Sequence, residues 1–283
     1  MIECAIGGNS MKIAWVTDSS AYIPKNAHRS DLYVVPLQIN HENTTYKDGI
    51  DLTTNEFYDL LSHSEFSPKS SQPTVYDIEQ LFQTLEVEYD VIIAVLISRQ
   101  ISGTFDTVAS VSRTISIPVH LVDSKIVSWP LYDLIQRGRV LVEEGMAPKV
   151  IAQTLHDNED IYTNRIFVAD LNQLLKGGRI SKLGFFVGNI LRIHPILKFK
   201  EGSIQIAHKI RTRKRAILQM IKDFEPTSNE MWVLHCGSEK TAHEVKQQLQ
   251  VRFPAQVIQI GELSPIIAIH GGQGSFAIVS AKA

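Results

Sequence analysis

The stretch DVIIAVLISRQISGTFDTVASV, residues 90–111, decides the fold. VIIAVLI is an unbroken apolar run of strand length and rich in β-branched residues, the pattern of a strand covered on both faces. A polar loop from Ser98 to Ser102 follows, and TFDTVASVSRTI then carries helical spacing. A buried strand leading through a short polar loop into a helix is the repeating unit of a parallel sheet wrapped by helices.

The same rhythm extends outward on both sides. KIAWVT reads as a strand running into the polar loop Asp18-Ser19-Ser20, and LYVVPLQI reads as a second strand whose internal Pro36 points to an edge or a bulge. TTYKDG reads as a turn, and TTNEFYDLLSHS as a helix opened by a capping box, Thr53 with Glu56. PKSSQPT is a loop entering a helix whose first turn suits Pro73, with Tyr76, Ile78, Leu81, Phe82 and Leu85 on its apolar face. PVHLVD is a further strand, followed by a helix that ends at Gly145.

The second half has another character. RIFVADLNQLLKGGRISKLGFFVGNILRI reads as strand, short helix, glycine turn and helix, and PILKFKEGSIQIAHKI as a hairpin turning at Glu201-Gly202. A helix (RKRAILQMIKDF), a strand (MWVLHCG), a helix (TAHEVKQQLQVRF) and two strands (VIQIGE, FAIVSA) complete the chain. Hairpins mixed with helices indicate α+β. The expected fold is therefore α/β in two domains: an extension over 1–10, an N-terminal parallel-sheet α/β domain over 11–158, and a C-terminal α+β domain over 159–283.

Composition narrows the function. At 283 residues the chain sits near the size where cores divide. A formal net charge of -2 gives no global reason to expect nucleic acid or an anionic membrane as partner. Cys4 and Cys236 lie far apart without metal-ligand spacing, so neither a disulfide framework nor a metal site is expected, which fits a cytoplasmic location. The opening residues lack a basic segment and a sustained apolar run. No segment approaches the roughly 20 apolar residues of a spanning helix, so an integral membrane protein is not expected.

Two polar loops are candidates for chemistry, Ser70-Ser71-Gln72-Pro73-Thr74 and Ser102-Gly103-Thr104. Each precedes a helix, and Ser102 also follows the carboxyl end of a strand, where open α/β sheets gather ligands. Free N–H groups at a helix start, hydroxyl donors, and a glycine that lets backbone approach closely make an anion the natural guest. The ordinary role of Ser and Thr there is capping. IHGGQGSFAI adds His270 among glycines, where an imidazole can donate to a carboxylate. Lys176 to Ser181 is basic and glycine-rich without phosphate-loop spacing, and the run from Lys209 to Arg215 reads as a solvated face. No GxSxG elbow or HExxH motif occurs.

VTDSS, KSSQPT, ISGTF, LVDS, LLKGGRIS, HPIL, KIRTRKRA and HGGQG, in that order between about Lys12 and Val279, resemble the bacterial DegV family. Its studied members bind fatty acids and serve as the binding subunit of fatty acid kinase. The resemblance implies a non-enzymatic cytoplasmic carrier without cofactor or metal, holding one long-chain fatty acid in an apolar tunnel between two domains. It implies carboxylate contacts from Ser70, in the place of the family's threonine, from Ser102 with Gly103, and from His270. Arg179 and Arg211 match arginines that face the kinase in kinase-coupled members. Gln273 stands in place of a proline, His194 in place of a lysine, and Arg99-Gln100 in place of small and apolar residues. Phe185, Phe186, Val187, Ile190 and Leu191 are candidates for the tunnel wall. The alternative is a lipid hydrolase or acyltransferase using Ser102 as nucleophile with His270 as base.

Overall fold

The structure is a computed structural model; it describes residues 4–6, 9–64, 67–157, 161–180 and 193–282. The proposed wall residues between Phe185 and Leu191 lie outside the described residues. The chain sorts into two compact units, Met1–Thr53 with Ser70–Glu159, and Thr54–Lys69 with Asp160–Ala283.

In the first unit β1 (Cys4–Ile6) and β2 (Asn9–Met11) pair antiparallel. β3 (Ile13–Asp18) then pairs in parallel with β4 (Leu32–Val35). β5 (Gln38–His41) and β6 (Thr44–Lys47) form an antiparallel hairpin. Helix α1 (Thr54–His63) leaves for the second unit, and β7 (Lys69–Ser71) returns beside β5. α2 (Val75–Glu88), β8 (Val91–Leu96), α3 (Thr104–Val111), β9 (Val119–Asp123), α4 (Trp129–Glu143) and α5 (Pro148–His156) follow. The main sheet has the order β4-β3-β8-β9 and is parallel throughout.

Every residue of β8 is buried, as a strand with helices on both faces requires. Strand alternation sends Ala14, Val16, Ile92, Ala94 and Leu96 against Ile78, Phe82 and Leu85 of α2 and Val108 and Val111 of α3. Trp15 looks the other way, its ring against Gly138 of α4. These opposed layers hold the carboxyl ends of β3, β8 and β9 at one edge of the sheet.

Several local expectations are corrected. LYVVPLQI is two strands in two sheets, because Pro36 cannot donate to the ladder and the chain leaves the main sheet there. Thr44 to Lys47 is strand rather than turn; β-branched and aromatic residues favour the pleated conformation, and the reversal falls at Glu42-Asn43. The second helix is capped by Thr74, whose hydroxyl accepts from Asp77 N at 3.0 Å, so Pro73 precedes the cap instead of occupying the first turn.

The second unit continues with β10 (Tyr162–Phe167), α6 (Leu171–Lys176), β11 (His194–Lys200), β12 (Ser203–Ile210), α7 (Arg213–Asp223) and β13 (Glu230–His235). It closes with α8 (Glu239–Arg252), β14 (Val257–Glu262), α9 (Pro265–Gly271) and β15 (Phe276–Ala281). Its sheet runs β12-β11-β10-β15-β13-β14, with β13 and β14 parallel and the other pairs antiparallel. The hairpin turns at Glu201-Gly202, both at positive φ, as sequence predicts.

One face of this sheet packs Phe167, Ile196 and Phe276 against Ala216 and Met220 of α7 and Val245 and Leu249 of α8. The opposite face carries Val168 and Leu197 with Leu174 of α6 and Ile180, edged by the half-buried Ile166, Leu171, Ile204 and Ile206. No helix among the described residues is long and apolar enough to cross a membrane.

Candidate functional site

In the first unit the candidate residues gather at the carboxyl edge of the parallel sheet. β8 ends at Leu96, and the chain turns through Ser98, whose hydroxyl accepts from Gln100 N at 3.3 Å. Ser102 precedes α3, with Gly103 at the N-cap. The Ser102 hydroxyl lies 2.8 Å from Thr104 Oγ1 and accepts from Thr104 N at 3.3 Å. Thr104 itself is fully buried, so this bond fixes the Ser102 rotamer from below.

The second loop is tied to the first by one side chain. A Cβ on Gly103 would stand 2.0 Å from Gln72 Oε1, so only glycine admits Gln72 there. Gln72 Nε2 donates to Thr107 Oγ1 at 2.9 Å, and Thr107 Oγ1 donates to the Gly103 carbonyl at 3.1 Å. The loops carrying Ser70 and Ser102 thus meet, a proximity that spacing alone could not establish. Ser71 is held elsewhere, accepting from Asn40 Nδ2 at 3.0 Å.

Behind these loops lies a buried carboxyl pair. Asp18, fully buried, accepts from Ile97 N at 2.7 Å and from the Ser20 amide and hydroxyl at 3.1 and 2.5 Å. It thereby clips the end of β3 to the start of the serine loop. Burial pushes its carboxyl up despite those donors. Asp48 is pushed up to about 7, chiefly by burial and further by the Asp18 charge, with a Ser19 hydrogen bond acting in the opposite sense.

In the second unit His270 occupies the last turn of α9, a short helix that the glycines around it concealed in the sequence. Its ring presses on Gly177 at the end of α6, where a Cβ would stand 2.5 Å from Nδ1. Burial, then the nearby Arg179 charge, lower the imidazole to about 4, so it is neutral at pH 7. Arg179 is part-buried and donates to the Gly177 carbonyl. Ser275 braces the loop, donating to Gly271 O at 2.5 Å and accepting from Ala169 N at 2.8 Å.

Arg211 lies at the end of β12, in a groove of about 380 Å³ that Lys209, Arg215, Leu218 and Lys222 also line. Cys236 is buried with its thiol pushed up to about 12 by burial, which makes it inert. Among the described residues no three His, Cys, Asp or Glu side chains come together as metal ligands would. Ser70, Ser102 and Gly103 therefore belong to the first unit, and His270, Arg179 and Arg211 to the second. Sequence reading missed Gln72 and Asp48 as parts of this arrangement. Asp48-Gly49 looked like turn punctuation, and Gln72 carried no signal beyond standing beside a proline.

The family model described as "Uncharacterised protein, DegV family" matches residues 12–283. The chain belongs to the DegV family. A curated DegV domain-containing protein, BH3627 of Halalkalibacterium halodurans, is 34% identical over 280 residues, covering 94% of this chain and 97% of the relative. Among solved structures, the fatty acid binding DegV family protein SAG1342 of Streptococcus agalactiae is 30% identical at a TM-score of 0.86, with 97% of this chain and 100% of that one covered. DegV, a fatty acid binding protein from Bacillus subtilis, is 30% identical at a TM-score of 0.84, with coverage of 95% and 99%.

Two departures from the DegV-family motifs have local explanations. Arg99 folds back over the first turn of α3, pairing with Asp106 at 2.7 Å and lying 5.3 Å from the Phe105 ring centroid. His194 stacks on Phe167 with centroids 5.9 Å apart, and the Arg213 guanidinium lies 5.8 Å from the same ring's centroid. Nothing described explains Gln273.

Proposed function

We propose that this chain is a non-catalytic carrier for one long-chain fatty acid, with the carboxylate held by Ser70, Ser102, Gly103 and His270. The observation that carries the reading is the Gln72 link, which joins two hydroxyl-bearing loops at a helix start beyond the strand ends. Such a place supplies directed dipoles for an anion without a metal or a base. The similar proteins of S. agalactiae and B. subtilis are described as fatty acid binding, which supports the same ligand class here.

The tail dominates affinity. Roughly fifteen methylenes at about 0.8 kcal/mol each contribute on the order of 12 kcal/mol before ordering costs. The half-buried Ile166, Leu171, Ile204 and Ile206 offer apolar surface for such a tail within the second unit. The head group then fixes orientation, since a buried carboxylate without donors is unfavourable.

In this reading the carrier works in the cytoplasm and presents the carboxyl group to a separate kinase, which phosphorylates it. Arg211, exposed in a groove with three further cations, suits an acidic partner surface. Arg179 stands closer to the ligand chemistry, because its charge acts on His270. The hydrolase alternative lacks support: the Ser102 hydroxyl is engaged by Thr104, and the similar proteins are described as fatty acid binding.

Extraction of the purified chain followed by mass spectrometry should yield about one fatty acid per protein, and added fatty acid should raise the thermal midpoint. Protein that carries no lipid and gains no stability from added fatty acid would end the carrier reading. Labelling of Ser102 by a fluorophosphonate probe would revive the hydrolase.

A further inference from the structure

Gln72 is exposed as a residue, yet its amide packs on Gly103 and is hydrogen-bonded through its nitrogen. Its oxygen lies where a Gly103 Cβ would be, and its nitrogen donates to Thr107, which in turn fixes the Gly103 carbonyl from the side chain and the backbone, both at 3.1 Å. Gln72 therefore grips the N-terminus of α3 one residue from Ser102.

The chain leading to Gln72 is β7, an extended segment in which alternate side chains share a face. Ser71 points to the Asn40 side. Ser70 and Gln72 then take the opposite face, and pinning Gln72 on Gly103 aims Ser70 toward the Ser102 loop. The Gln72 side chain is a link between the two loops, from residues 69–74 to the start of α3.

We propose that Gln72 is the positioning residue that aligns Ser70 with Ser102, and that it makes the site selective for a free carboxylate over an uncharged head group. The proposal rests on the carrier reading above and deepens it. A carboxylate with several acceptor positions profits from two hydroxyls at a fixed separation, whereas an alcohol is satisfied by either. Loss of alignment should therefore penalise the acid alone.

The test compares binding of a sixteen-carbon fatty acid and the matching fatty alcohol to the full chain and to variants. Gln72→Met keeps a side chain of similar length against Gly103 but removes the donor, and Thr107→Val removes the acceptor from the other side. Each should weaken the acid about tenfold while leaving the alcohol within about twofold, the size expected for a lost head-group hydrogen bond. The double variant should lose no more than either single change, because both break one link.

Equal losses for acid and alcohol would mean that Gln72 merely supports the fold. Unchanged acid binding, or additive losses in the double variant, would also overturn the proposal. A wild-type chain that takes up neither ligand would instead overturn the carrier reading, so the two failures are distinct.

Discussion

Ser102 and His270 each stand beside a glycine that admits a close neighbour, yet their surroundings differ in kind. Around Ser102 the donors are hydroxyls and backbone amides, none of which titrates near neutrality. Around His270 an imidazole and a guanidinium share a partly buried corner, and burial, aided by the arginine charge, keeps the imidazole neutral. The first arrangement offers fixed dipoles; the second holds one permanent charge and one neutral donor. Their titratable groups are displaced in opposite directions, Asp48 behind the serine loops upward and His270 downward.

The largest test of this contrast is the stability of the two units against pH. Folded Asp48 keeps its proton to about 7 against 3.8 for a freely solvated carboxyl, so its contribution declines as pH rises through that interval. Folded His270 loses its proton by about 4 against 6.5, so its contribution grows with pH over that range and is lost on acidification. At full extent the two amount to on the order of 4 and 3 kcal/mol. Between pH 4 and 7.5, stability against denaturation should rise more with pH in Asp48→Asn than in the native chain, and less with pH in His270→Gln than in the native chain. Identical profiles for the three proteins would show that neither group is held as described.

A middle-sized effect separates the corners by sterics. Valine at Gly177 should displace the His270 ring and weaken fatty acid binding by about 10- to 100-fold, the range for losing a donor to a charged group. Titration microcalorimetry at pH 7 would read it, and an unaltered affinity would remove His270 from the head-group site. The smallest effect belongs to the serine side. Ser102→Ala should weaken the acid by no more than about tenfold, read by the same titration. A loss larger than that at Gly177 would erase the contrast.

Much of the fold was legible because its signals are local. The run from Val91 to Leu96 is apolar at every position, and only a strand between two layers buries them all. Glu201-Gly202 reads as a two-residue hairpin from turn chemistry alone. What escaped depends on contacts distant in sequence. The three residues of β7 are too few for a periodic signal, and they form a strand because β5 offers a ladder. α5 begins at Pro148, just past the Gly145 where the sequence reading ends its helix, and its nine residues give too short a periodic signal to stand out. The site was legible as residue types in loops, but the Gln72 contact arises from glycine's missing side chain thirty-one positions away. Absence of an atom leaves no trace in hydrophobic spacing.

The excursion of α1 into the second unit gives the backbone an interleaved course. The polypeptide passes between units after Thr53, after Lys69 and after Glu159, so neither unit is a continuous segment of the gene product. A fragment truncated at the end of α5 would keep α1 without its natural bed, exposing Phe57, which is fully buried in the intact chain. That single ring forfeits about 1.5–3 kcal/mol of burial and becomes an adhesive spot. Dissection of the molecule into separately expressed halves must therefore graft or delete residues 54–69, and cleavage at one passage alone leaves the two units joined through the other two.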